Sequence, residues 1–206
     1  YTRQGLVLNH QLLTERAKRI LVVVPETLMH QWLVEMLRRF NLHFKIFDQA
    51  RCGDLLIEGD FDNIFHSEQL VLCSIDFLVS NATAFEHSVG GEWDLVVVDE
   101  AHHLQWSPEQ ASIEYEVVEQ LSANTKGVLL LTATPEQLGK ESHFARLRLL
   151  DPDRFPSFAQ VIKEEENYAQ YAQVIEDMLN TKSLTDNDLT LIKQTVDEGD
   201  NLALLD

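Results

Sequence analysis

Two cysteines in 206 residues, Cys52 and Cys73, leave little room for sulfur chemistry. They lie far apart with no paired spacing, so neither a zinc site nor a disulfide framework is supported. A reducing cytoplasm is the expected setting. No apolar run approaches the roughly 20 residues that cross a bilayer, and nothing at the N-terminus resembles a signal peptide. No membrane partner is expected, and the sequon match Asn81-Ala82-Thr83 is read as chance. Basic charge is scarce: 16 Lys and Arg face 34 Asp and Glu, for a net charge of -18. Phosphate contacts need basic side chains, so this stretch alone is not expected to bind nucleic acid tightly.

What is present describes a globular α/β protein. The hydrophobic fraction is 45% and the mean hydropathy -0.16, and the length suffices for one core plus an appendage. Residues 151–206 carry 13 acids against 4 bases, a far more acidic balance than the rest of the chain. They are expected to form a separate, mainly helical extension beyond a domain of residues 1–150, with helices at 163–180 and 185–198. Thr185 and Asp188 form a capping-box analogue at the start of the second.

Strand and helix signals alternate through residues 1–150. Leu6, Leu8, Leu12 and Leu13 predict a helix over 5–18, and Ile20–Val24 reads as a buried strand stopped by Pro25. Thr27 is placed to cap the next helix, whose apolar stripe includes Leu28, Trp32, Met36, Leu37 and Phe40. Phe44–Asp48 is a short strand. Residues 49–67 lack a period and read as a surface loop rich in Gly and Asp. Further strands follow at Gln69–Ser74, Asp94–Val98 and Gly127–Thr132, with helices expected to about His87, over 112–123 and over 136–149. Five alternations favour a parallel, right-handed sheet flanked by helices.

The stretch Asp94-Leu95-Val96-Val97-Val98-Asp99-Glu100-Ala101-His102 concentrates the chemistry. Its branched apolar run reads as a strand buried on both faces. Asp99 and Glu100 then emerge at the C-terminal end, where open α/β sheets hold ligands. Adjacent carboxylates there suit Mg²⁺-nucleotide chemistry: one holds the ion through water and the other activates the attacking water. A solvated acidic loop would read the same way in isolation. Three other strand ends are polar as well: Pro25-Glu26-Thr27-Leu28, Ser74-Ile75-Asp76 and Thr132-Ala133-Thr134-Pro135. Each alone is ordinary turn chemistry; their joint order and spacing is not.

Taken together, these four blocks resemble motifs Ia, Ib, II and III of superfamily-two helicase-like ATPases of the SWI/SNF-related branch. The long runs Pro25–Phe40 and Leu131–Arg148 are similar, more narrowly, to bacterial RNA polymerase-associated ATPases of that branch. The resemblance implies a RecA-like fold of the P-loop NTPase type, with ATP and Mg²⁺ as cofactors. RNA polymerase and DNA, or RNA, would be the partners of a translocase that recycles polymerase. It implies that Asp99 holds Mg²⁺ through water and that Glu100 is the general base. His102 would couple the nucleotide site to Thr132 and Thr134, and Pro25, Thr27 and Ser74 would lie along the nucleic-acid backbone. His103 lacks a third ligand at metal-binding spacing and reads as structural. Trp32 and Trp106 are aromatic enough to stack on bases, but Trp32 falls on its helix's apolar stripe.

One family feature has no counterpart in these residues: the Gly-rich Walker A loop ending Gly-Lys-Thr. The sequence therefore reads as a fragment of the first motor domain, expected neither to bind ATP tightly nor to hydrolyse it alone. Without the Walker A strand, the strand at Val128–Thr132 should keep an unpaired edge, open to a second copy or to the acidic extension. The competing readings are another SWI/SNF-related translocase, a non-catalytic interaction module of degenerate helicase-like fold, and a Mg²⁺-dependent phosphatase or nuclease. The last lacks a second acidic cluster for two-metal chemistry.

Overall fold

The structure is a computed structural model that describes residues 2–59, 61–132 and 139–163. The chain forms two compact units, Tyr1–Phe155 and Pro156–Asp206. In the second unit the described residues are 156–163, of which 158–163 are helical. The helices expected at 163–180 and 185–198, including Thr185 and Asp188, lie outside the described residues, apart from residue 163 itself.

The first unit is built on five strands: β1 (Ile20–Val24), β2 (Lys45–Phe47), β3 (Leu70–Ser74), β4 (Leu95–Val98) and β5 (Val128–Leu130). All pairings are parallel and the order is β2-β3-β1-β4-β5. The helices are α1 (Thr2–Leu13), α2 (Met29–Phe40), α3 (Gln49–Glu58), α4 (Ile75–Ser80), α5 (Ala82–Val89), α6 (Ile113–Ala123) and α7 (Gly139–Leu150). Side chains alternate across the strands, so each strand feeds two cores. Leu21, Val23, Val96 and Val98 join Leu55, Phe65, Leu78, Tyr115 and Leu149 on one face. Ile20, Val22, Val24 and Val97 join Leu8, Trp32 and Met36 on the other. A sheet covered on both faces explains why β1 and β4 read as unbroken apolar runs.

Several expected boundaries shift for local reasons. The first helix ends at Leu13, not Lys18: the Thr14 hydroxyl donates back to the His10 carbonyl at 2.7 Å, and Glu15 turns to a left-handed φ of 53°. Thr27 does not cap α2. It sits in a 3-10 turn, Glu26–Leu28, and α2 starts from Leu28 without a side-chain cap. Within the expected loop of residues 49–67, residues 49–58 are helical and 64–67 form a 3-10 turn. Asp48 caps α3 by accepting the Arg51 N–H, Gly59 closes it at φ 68°, and Cys52 and Leu55 are buried. A 3-10 turn, Ile64–Ser67, then buries Ile64 and Phe65. The helix expected up to His87 is two helices, divided where the Asn81 side chain accepts the Ala84 N–H.

Cys52 and Cys73 are free and buried, and burial pushes both thiols up, Cys52 to about 11. β5 is an edge strand with β4 as its partner among the described residues, and Val128, Leu129 and Leu130 are half-buried there.

The opposite end of β4 is anchored by Asp94. Its carboxylate accepts the backbone N–H groups of Lys18 and Arg19 at 2.8 and 3.0 Å, and the Lys126 ammonium at 2.6 Å. Burial alone would raise this carboxyl, but those donors outweigh it and hold the group at about 2. A depressed carboxylate stabilises the fold above its unfolded value, near 4, and the contribution is lost as pH falls from about 4 towards 2. Asp94→Asn is therefore expected to lower the urea midpoint at pH 6, and the gap to the parent chain is expected to shrink to less than half at pH 2.5. An unchanged gap between the two at both pH values would contradict this.

Candidate nucleotide site

The register sets the strand ends level. Val23 pairs with Val98, Val24 with Ser74 and Val98 with Leu130. Val24, Ser74, Asp99 and Leu131 therefore stand level at the end of the sheet, with Pro25, Ile75 and Glu100 one residue further on. The connection from β1 runs towards β2 and β3, whereas that from β4 runs towards β5. The switch in direction falls between β1 and β4, and α/β sheets hold ligands outside the strand ends at such a point. A cleft of about 350 Å³ opens there, lined in part by Val24, Pro25, Asp76, Asp99, Glu100, His103 and Glu114.

Asp99 is the most constrained member. Its backbone N–H donates to the Val23 carbonyl at 2.9 Å, tying it to β1. One carboxylate oxygen accepts the Glu100 N–H at 2.9 Å and the other accepts the indole N–H of Trp32 at 2.6 Å. Glu100 follows in the left-handed region at φ 52°, a conformation that a non-glycine residue holds only when its surroundings impose it and that clusters at functional sites. Its carboxylate lies 3.0 Å from Nδ1 of His102, without hydrogen-bonding alignment. The His102 and His103 ring centroids lie 4.0 Å apart with the rings tilted by 38°.

The turn that carries these residues hangs on the neighbouring strand. Ala101 donates its N–H to the Leu131 carbonyl, and Leu131 donates to Val98, both at 2.8 Å. Thr132, half-buried, follows directly. The site thus brings together Asp99, Glu100 and His102 and joins their turn to the segment leading into Thr132. Thr134 lies outside the described residues. Pro25 lines the cleft, and Thr27 is exposed in the 3-10 turn that follows β1. Ser74 is buried at 3% exposure, and its hydroxyl caps α4 by accepting the Phe77 N–H at 3.1 Å.

Trp106 is half-buried in an aromatic cluster, 4.9 Å from Phe144 and 6.5 Å from Tyr115, with the Arg148 guanidinium 6.0 Å from its ring. Trp32 belongs to the core, as its helical position predicts, and its bond to Asp99 adds a contact that the helical spacing does not show. The available signal was chemical: a buried indole N–H must find an acceptor, and the strand beside β1 ends in acids.

The chain matches the SNF2-related domain over residues 5–194. It belongs to the SNF2-related family. It is 56% identical, over 95% of its length, to the RNA polymerase-associated protein RapA of Vibrio cholerae serotype O1, strain M66-2. To RapA of Yersinia pseudotuberculosis serotype O:1b, strain IP 31758, it is 52% identical over 98%. It spans about a fifth of the length of these curated relatives, 20% and 21% respectively. A solved SWI2/SNF2 ATPase core of Sulfolobus solfataricus in complex with dsDNA superposes with a TM-score of 0.58 at 18% identity, covering 91% of this chain and 35% of that one. A solved SWI2/SNF2 ATPase core domain of Sulfolobus solfataricus gives a TM-score of 0.55 at 19% identity, covering 92% of this chain and 34% of that one. The SNF2-related fold, a RecA-like parallel sheet between helices, is what these neighbours share with the chain.

Proposed function

We propose that this SNF2-related chain is part of the first motor domain of an ATP-driven nucleic-acid translocase that works with RNA polymerase and helps recycle it in transcription. The observation that carries the reading is the Asp99-Glu100 pair, set level with the ends of β1, β3 and β5. Each Asp99 oxygen accepts one donor, which leaves lone pairs for water. No cluster of three metal-ligating side chains exists among the described residues. A cation at Asp99 would therefore be held through water and phosphate oxygens, which is the habit of Mg²⁺; the residues fit that ion. When bound, Mg²⁺-ATP supplies a polarised terminal phosphate open to in-line attack.

The remaining roles fall to this chain's own groups. Glu100 orients the attacking water and takes its proton. His102, beside Glu100, passes the state of the site through the Ala101–Leu131 link to Thr132 and Thr134. Pro25 and Thr27 lie along the nucleic-acid backbone, and Ser74 shapes that track by fixing the start of α4. RNA polymerase as partner is supported by the relatives' name, and DNA, with RNA as the alternative, by the neighbour's complex. A cytoplasmic setting accords with both, and no helix among the described residues is long and apolar enough to cross a membrane. The β5 edge is a surface where a strand from a second copy can add.

The test is ATP hydrolysis by the full-length protein, alone, with DNA and with RNA polymerase. The expected result is activity raised severalfold by RNA polymerase. No hydrolysis in any condition would favour a non-catalytic interaction module, and stimulation by DNA alone would favour a translocase that works without polymerase.

A further inference from the structure

Trp32 is fully buried, and its indole N–H points out of the core to an Asp99 oxygen at 2.6 Å. The other Asp99 oxygen is taken by the Glu100 N–H at 2.9 Å, and the Asp99 main chain by Val23. Three elements therefore grip one residue: α2 through Trp32, β1 through Val23, and the turn after β4 through Glu100. With a donor on each oxygen the carboxylate cannot rotate, and its free lone pairs stay aimed at one side. Hydrogen bonds to charged groups are the strong ones, and the indole is itself held by the packing of Met29, Met36 and Val24 in its core.

We propose that Trp32 is a positioning residue for this site: its indole N–H fixes the Asp99 carboxylate in the orientation that receives a hydrated Mg²⁺. The inference rests on the reading of Asp99 given above. It also assigns α2 a function beyond covering the sheet, because the helix that starts at the Pro25–Leu28 segment ends one of its turns on the metal-side carboxylate. Partners that orient a direct metal ligand typically change metal affinity 10- to 100-fold when removed, and Trp32, acting on a carboxylate that reaches the ion through water, belongs at the low end of that range.

Two substitutions separate positioning from packing. Trp32→Phe keeps an aromatic ring and loses the donor. Trp32→His loses more of the buried ring but keeps a donor, because imidazole Nε2 stands the same number of bonds from Cβ as the indole nitrogen. Nucleotide-dependent Mn²⁺ binding to the full-length protein is measured by electron paramagnetic resonance with ADP, beside a thermal melt of each variant. Trp32→Phe is expected to weaken Mn²⁺ binding by about 10-fold or more, and Trp32→His by no more than about 3-fold despite its lower melting temperature.

Equal affinity in all three proteins, or a greater loss in Trp32→His than in Trp32→Phe, overturns the inference. Wild-type protein that binds no Mn²⁺ with ADP overturns the reading of Asp99 as well. A measurement on the unsubstituted protein stands beside these. Mn²⁺ with ADP should broaden the indole proton resonance of Trp32 and spare that of Trp93, which precedes β4 at the opposite end of the sheet. A sharp Trp32 resonance under saturating Mn²⁺ would also overturn it.

Discussion

Trp93→Ala is expected to lower the unfolding free energy of the chain by about 3–5 kcal/mol, the range for deleting a large buried aromatic. Trp93 is 2% exposed and fills the corner where β4 begins. Its indole N–H donates to the Ser88 carbonyl at 2.7 Å, and its ring meets Phe65 edge-on at 6.1 Å. The Arg19 guanidinium lies 4.9 Å from the ring centre while donating to the Gly91 and Phe65 carbonyls. A Cβ at Gly91 would come within 2.5 Å of the ring, so the chain approaches this face too closely for any side chain. Removing the ring leaves a cavity that this cage cannot close and strips one partner from a partly desolvated cation. Since whole domains are stable by about 5–15 kcal/mol, the loss is a large share. Urea denaturation of the 206-residue chain checks it, and a loss below about 1 kcal/mol would show that the corner relaxes around the vacancy.

Glu100→Gln is expected to reduce the ATP turnover of the full-length protein by about 10³-fold, within the 10²- to 10⁴-fold range for a general base. Nucleotide affinity should stay within a few-fold. The substitution is nearly isosteric, and the contacts that impose the left-handed turn use the backbone: the Glu100 N–H to Asp99 and its carbonyl to the His103 N–H, both at 2.9 Å. The fold around the site should therefore survive. An amide cannot take the water's proton, which is where the effect originates. Steady-state turnover and a nucleotide titration, run side by side, check the two halves. Matched losses of affinity and turnover would assign Glu100 to binding instead.

The sheet was legible because β1 and β4 are continuous branched runs and β3 is apolar up to Cys73, a pattern that burial on two faces requires. The level of the site was legible for the same reason, since each run stops at a polar turn. α3 was not. Its apolar residues Leu55, Leu56 and Ile57 are consecutive rather than spaced by a helical period, and Gly53 and Gly59 suggested a loop. Gly59 is in fact the left-handed stop of that helix and Asp48 its cap. The strained backbone of Glu100 carries no sequence signal, because its φ is imposed by neighbours that only the fold assembles. The Trp32–Asp99 bond joins residues 67 apart, and spacing alone cannot reveal it. Ser74 was recognised as a strand end, but its caps-and-burial geometry belongs to α4 and appears only in three dimensions.

The central claim is that the carboxylates at the end of β4 cleave a nucleotide. Single-turnover hydrolysis of ATP by the full-length protein, with Mg²⁺ and with protein in excess, tests it most directly. Wild type is expected to convert its bound ATP to ADP, while Glu100→Gln binds the nucleotide and keeps it intact over the same interval. Equal cleavage by both proteins would contradict the claim and move the chemistry away from Asp99 and Glu100.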